Sequence, residues 1–265
     1  MALAGQARRA LGRTVRWERR TIGMTDFIPR PVRSKLRRLF GMGSLQDARR
    51  FTRTRRLDRL FDALNERHAS YVVLRWFEDL PRRADGDIDF LVADESLPIF
   101  EDLLDGGPDG VPCDLYSASG ARGYLYAGMP YYPPLLGARI LARCVTAEGG
   151  VNVPCPEDHF FSLAYHALYQ KGLKSGLPSS LQTQQPVPTP MHDYHGTLER
   201  LAAMLQLPVA INMEELDALL ASRGWRPPAA MLKQLARHNE WVREHFRGDA
   251  LVELHARRED MSIHG

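Results

Sequence analysis

In the stretch Gly86-Asp87-Ile88-Asp89-Phe90-Leu91-Val92, acidic residues alternate with apolar ones before the run turns wholly apolar. Successive side chains on a β-strand point to opposite faces, so this pattern predicts a strand. Asp87 and Asp89 then share one face, while Ile88, Phe90 and Val92 pack on the other. Two carboxylates held that close repel each other unless a cation or solvent lies between them. A fold that accommodates this strand therefore needs an apolar layer on one side and a home for concentrated negative charge on the other.

The flanking sequence predicts the rest of a small sheet. Residues 71–74 and 111–116 are further strand candidates, Pro81, Asp85-Gly86 and Gly106-Gly107-Pro108 supply turns, and residues 96–104 suit a helix between the second and third strands. Before them, Ser44 is a good N-cap for a helix running to about His68. Beyond Pro154 and Pro156 the chain reads as mostly helical, with helices expected over 157–171, 196–205, 212–223 and 227–246, and a Pro/Ser/Gln-rich loop over 175–190. The expected fold class is α+β: a small mixed sheet with flanking helices and a mostly helical C-terminal half. The expected division is a basic, partly helical segment and linker over 1–43, an α/β core with its leading helix over 44–150, and a helical domain over 151–265.

Charge is unevenly spread. Residues 1–60 hold 17 Lys or Arg against four acids, 17 − 4 = +13, so the remainder of a chain of net charge +3 carries 3 − 13 = −10. The basic segment is expected to meet an anionic partner: a membrane surface, a nucleic acid or the acidic body of the protein itself. No apolar run approaches the roughly 18 residues a membrane span needs, and the N-terminus lacks a secretory signal pattern. The expected location is the cytoplasm, peripheral at the inner membrane face. Cys113, Cys144 and Cys155 lack zinc or redox spacing and read as reduced thiols.

Asp114, a polar residue between Cys113 and Leu115 in a short apolar strand, is the third carboxylate that a neighbouring strand can bring to Asp87 and Asp89. Three carboxylates on adjacent strands suit phosphoryl transfer through Mg²⁺ or Mn²⁺, which bridges phosphate oxygens and activates a hydroxyl. Arg75, Arg82 and Arg83 lie on the connection expected to overhang the acids, and guanidinium groups bind phosphate in a bidentate manner. On the 157–171 helix, His159, His166 and Gln170 fall near one stripe, Tyr165 and Tyr169 on another. From this helix, His166 and Lys171 are expected substrate contacts. His192-Asp193-Tyr194-His195 reads as a loop-to-helix transition, not as a metal pair. The aromatic stretch 124–134 is open between an acceptor surface and a packed loop.

Taken together, residues 68–120 resemble the core of the nucleotidyltransferase superfamily that includes DNA polymerase β and the aminoglycoside nucleotidyltransferases. In that family a strand ends in a Gly-Ser or Gly-Gly pair, Asp-x-Asp follows about ten residues later, and a third Asp sits on a later strand. Val72-Val73-Leu74, Asp87, Asp89 and Asp114 match this order; Trp76-Phe77 stands where that pair belongs. The resemblance implies a metal-binding transferase that takes a nucleotide or nucleotide-activated donor and a small hydroxylated acceptor, such as a sugar or surface-glycan precursor. It also leaves room for a noncatalytic, degenerate module of the same fold that binds nucleic acid or a protein partner through its Arg-rich N-terminus.

Overall fold

The computed structural model describes residues 50–104, 106, 109–121, 129–181 and 189–248. The chain divides into two units, Met1–Asp47 and Ala48–Gly265, and the described residues belong to the second. The basic helix and linker expected within residues 1–43 lie outside them.

A four-stranded mixed sheet organises the first part. Its strands are β1 (Arg50–Phe51), β2 (Tyr71–Val73), β3 (Ile88–Val92) and β4 (Pro112–Ser117), in the spatial order β1-β4-β3-β2. β3 runs antiparallel to β2 and parallel to β4, and β1 pairs antiparallel with the outer edge of β4. The parallel pair requires a crossover, supplied by a 3₁₀ turn (Asp94–Ser96) and α2 (Leu97–Leu103), while α1 (Leu57–Glu66) precedes β2. A short hairpin, β5 (Val145–Thr146) with β6 (Asn152–Val153), follows α3 (Pro134–Ala142).

The sheet has two unlike faces. Tyr71, Val73, Ile88, Phe90, Val92, Cys113 and Leu115 pack against Leu57, Leu60, Phe61 and Leu64 of α1 and Phe100 of α2. Phe61, Tyr71, Phe90 and Phe100 meet there with ring centroids 5.1–6.3 Å apart. The alternate residues Val72, Leu74, Leu91 and Tyr116 join a second core shared with the helices. The period-two pattern of β3 is therefore obeyed, and the face that carries Asp89 looks into the helical half.

That half comprises α4 (Pro156–Tyr165), α5 (Tyr194–Met204), α6 (Met213–Ser222), α7 (Ala229–Leu235) and α8 (Glu240–His245), making eight α-helices among the described residues. Asp193, Asn212 and Asn239 cap α5, α6 and α8, each accepting a backbone N–H with its side chain. No described helix is long and apolar enough to cross a membrane.

Three spans differ from expectation. Of the helix expected over 44–68, residues 44–49 lie outside the described residues and the helix found there starts at Leu57, because Arg50 and Phe51 pair with β4 and the Thr52 side chain holds Val111 N–H at 2.9 Å. The helix expected over 227–246 is two helices, interrupted where Asn239 turns its side chain inward. The helix expected over 157–171 stays α-helical only to Tyr165 and continues as a wider π turn over His166–Lys171.

Candidate functional site

β3 and β4 place the carboxylates. The parallel register sets Asp89 directly beside Asp114, and Asp87 sits two residues before Asp89, just ahead of the strand. Gly86 precedes it with φ 114°, a conformation that glycine alone adopts without strain. Asp89 is only 5% exposed, whereas Asp87 and Asp114 are half-buried. Of the sequence-expected acids, Asp89 and Asp114 thus stand side by side on the sheet, with Asp87 just ahead of β3. Among the described residues, no three His, Cys, Asp or Glu side chains already converge as a metal cage.

Arg75, two residues past the end of β2, lies beside Asp89. Its guanidinium is buried, 6% exposed, and its Nη2 donates to Asp89 Oδ1 at 2.6 Å and to the Tyr116 hydroxyl at 3.4 Å. The Tyr116 hydroxyl itself donates to Asp89 Oδ1 at 2.9 Å. Burial pushes the Asp89 carboxyl up to about 6, Arg75 opposes that shift, and the charges of Asp87 and Asp114 add to it. Burial also works against the Arg75 charge, but Asp89 and the surrounding tyrosines hold the guanidinium firmly protonated. Arg75 lies over the rings of Tyr116 and Tyr131, 5.9 and 5.7 Å from their centroids. Its Nη1 is buried and finds no hydrogen-bond acceptor among the described residues.

A chain of aromatic groups continues from Arg75 into the helices. The Tyr131 hydroxyl bonds His166 Nδ1, and His166 Nε2 lies 3.1 Å from the Tyr194 hydroxyl. Burial, followed by the positive charges of Arg75, Lys171 and His192, drives His166 well below the usual histidine range, so its ring is neutral. A neutral imidazole has one donor and one acceptor nitrogen, which matches its two tyrosine partners. Tyr194 meets Trp76 edge-on at 5.2 Å, and Trp76 stacks on His192 at 4.3 Å. Trp76 has φ 54°, the left-handed region in which glycine is least strained, so a tryptophan holds a glycine-like backbone here. The turn also separates neighbours: Trp76 packs on the helical core and Phe77 on the core beneath the sheet.

Lys171 comes to the same place from the end of the π turn. Its surface is exposed, yet the crowding around it and the Arg75 charge lower its pKa, while Asp89, Asp87 and Asp114 act to raise it. Of the expected contacts, Arg75 bonds Asp89, Lys171 feels the charges of the three acids, and His166 is tied instead to Tyr131 and Tyr194. Arg82 and Arg83 do not join them: both are exposed, and Arg83 is held by Asp79 at 3.0 Å and Asp85 at 2.9 Å on its own loop. A shallow groove of about 530 Å³ beside Ala93, Asp94 and Ser119 lies at the opposite end of β3 and β4.

Sequence reasoning passed over Tyr116, Trp76, His192 and Tyr194 as parts of this site. Tyr131 lay in a stretch left undecided, and it is buried; Tyr124 and Tyr126 of the same stretch lie outside the described residues. The one signal available was parity: Tyr116 is two residues past Asp114 and so shares its face. No family model, curated protein or solved structure matches the chain.

Proposed function

We propose that the chain is a divalent-cation-dependent transferase that moves a nucleotidyl or related phosphoryl group onto a small hydroxylated acceptor, and that its sheet is a divergent nucleotidyltransferase core. The observation that carries this reading is the register of β3 and β4, which pairs Asp89 with Asp114, while the Asp87 charge acts on Asp89 from just ahead of the strand. The donor set fits Mg²⁺ or Mn²⁺ in chemistry: three hard carboxylate oxygens, one of them on an acid that burial makes costly to ionise. Asp87, Asp89 and Asp114 would hold the cation, which when bound supplies charge neutralisation and polarises a phosphoryl oxygen.

The chain's own residues account for the remaining roles. Arg75 presents a buried N–H that no described group accepts, suited to an anionic oxygen. Lys171 adds an ammonium at the exposed side of the same acids. Asp114, half-buried, is placed to accept the proton of an acceptor hydroxyl. The aromatic wall of Tyr116, Tyr131 and Tyr194 excludes water from the inner side. The donor is a nucleotide or nucleotide-activated compound, and the basic segment within residues 1–60 would hold the protein at an anionic membrane face.

Because removing Asp89 would strand the buried Arg75 charge, Asp87→Asn and Asp114→Asn are the cleaner tests. Calorimetric titration with Mn²⁺ should give a site in the native protein and none detectable in either variant, with circular dichroism unchanged. A thermal-shift panel of nucleoside triphosphates and nucleotide sugars should show stabilisation only with the cation. Undiminished Mn²⁺ binding in both variants would refute the assignment.

A second reading is favoured by the Arg75–Asp89 pair, which neutralises one acid from within, and by Trp76 where the family carries glycine. In it, the chain is a noncatalytic module that binds nucleic acid or a protein partner through its arginine-rich start. Salt-dependent affinity for nucleic acid, lost on deleting residues 1–43 and indifferent to Asp114→Asn, would select it.

A further inference from the structure

The π turn does something an α-helix of the same sequence would not. Positions five apart diverge by about 140° around an α-helix, whereas i→i+5 bonding brings them back nearly above one another. His166 and Lys171 are five apart and span the turn. His166 lies on the buried side, bonded to Tyr194 and to Tyr131, over whose ring Arg75 sits, while Lys171 is exposed where the charges of Arg75, Asp89, Asp87 and Asp114 reach it. Had α4 continued regularly, the two would lie on different faces.

Such a turn leaves backbone carbonyls without their usual partners, particularly where the chain then bends away. It bends at Gly172, with φ 58°. Leu168 O and Tyr169 O are both satisfied from outside the helix, by Asn239 Nδ2 at 2.7 and 3.0 Å. Asn239 is 4% exposed and lies 70 residues on, in the break between α7 and α8. Its Oδ1 accepts from Val242 N–H at 3.1 Å, so one amide serves two roles. A Cβ on Gly172 would stand 2.2 Å from Asn239 Oδ1, which shows how closely the bend and the amide are fitted. The Tyr169 hydroxyl is held from the other side by Asp217 at 2.6 Å.

We propose that Asn239 is a positioning residue of the site: by donating to the Leu168 and Tyr169 carbonyls it holds the π turn in the form that sets Lys171 at the carboxylates, without touching them itself. Its significance for transfer rests on the functional reading above; its control of Lys171 does not. Asn239→Ser and Asn239→Asp both keep an oxygen that can cap α8 and both remove the amide donor, so they separate the two roles.

The test compares acylation of Lys171 with that of Lys174, three residues on and exposed, by a water-soluble N-hydroxysuccinimide ester at one pH, followed by peptide mass spectrometry. The native ratio of the two rates should differ from unity, because Lys171 is crowded and beside charged groups, and should move towards unity in both variants. Asn239→Gln, which keeps the amide, should return part of the native ratio. Pyrophosphate affinity measured with Mn²⁺ should fall about tenfold, as for other supporting residues, while the Mn²⁺ titration alone stays unchanged. A native ratio in the folded variants would overturn the proposal, as would loss of the fold in both, which would make Asn239 a clamp for the helices at large. Absence of pyrophosphate binding in the native protein would count against the functional reading, and the acylation ratio would still judge Asn239.

Discussion

Arg75 is the residue on which the site's electrostatics turn. It lends Asp89 a positive neighbour at 2.6 Å inside the protein, where an unpaired carboxylate would not stay ionised. Arg75→Met should therefore leave Asp89 protonated to a higher pH than its present value of about 6. The sign follows from linkage. A carboxyl whose folded pKa is raised stabilises the fold below the unfolded value of 3.8 and loses that contribution as pH rises through the folded pKa. Loss of Arg75 moves the folded pKa further up, so the variant's deficit should widen above pH 6 and reach about 3 kcal/mol near pH 8. Urea unfolding at pH 5.5 and pH 8 measures it, and equal deficits at both would contradict the pairing. The strand that carries Asp89 was readable from residue order, since its alternation of acidic and apolar residues set its two faces. The arginine beside Asp89 was foreseen as a phosphate ligand, and its present bond is to the acid. Only the approach of β2 to β3 decides between those partners, and a linear reading does not contain that approach.

At the scale of elements, the informative departures are interruptions. Periodicity over 157–171 does not reveal the widening at His166, because the amide that meets the widened turn's carbonyls lies 70 residues away. The break at Asn239 was hidden by the apolar stripe running through 227–246. β1 and the β5–β6 hairpin contain two residues per strand, too few for any period to register. By contrast β2, β3, β4 and α2 were visible, each long enough or well enough bounded by turns. The bend that ends the π turn gives a direct check. Gly172→Ala places a Cβ at φ 58° and against Asn239, so it should cost about 2 kcal/mol, a sum of backbone strain and displaced packing. Gly224→Ala, at φ 71° with open space around it, should cost only the strain, about 1 kcal/mol. Chemical denaturation of the two variants compares them.

For the whole molecule, the buried histidines predict how it responds to acid. Burial lowers His159, beside the Phe77 ring, to about 4, and lowers His166 in the same direction. A histidine with a depressed folded pKa binds its proton preferentially when unfolded, so stability is full above 6.5 and falls as pH drops towards the folded value. For His159 that window spans 6.5 to about 4, corresponding to about 3 kcal/mol. Asp89 acts in the opposite sense between about 6 and 3.8 and offsets part of the loss. His159→Phe should accordingly flatten the decline of the melting temperature between pH 6.5 and 4.5.

The two unlike faces of the sheet also set how freely its residues can be exchanged. Beneath it, Phe90, Val92 and Leu115 belong to an apolar cluster with residues of α1 and α2, and volume is the quantity to be conserved. Above it, Asp89, Tyr116 and Arg75 answer one another by donor and acceptor, so a single replacement leaves a partner stranded. Substitutions in one strand should thus alternate between the forgiving and the intolerant, residue by residue. Libraries that randomise β3 and β4 would recover variants written in steps of two.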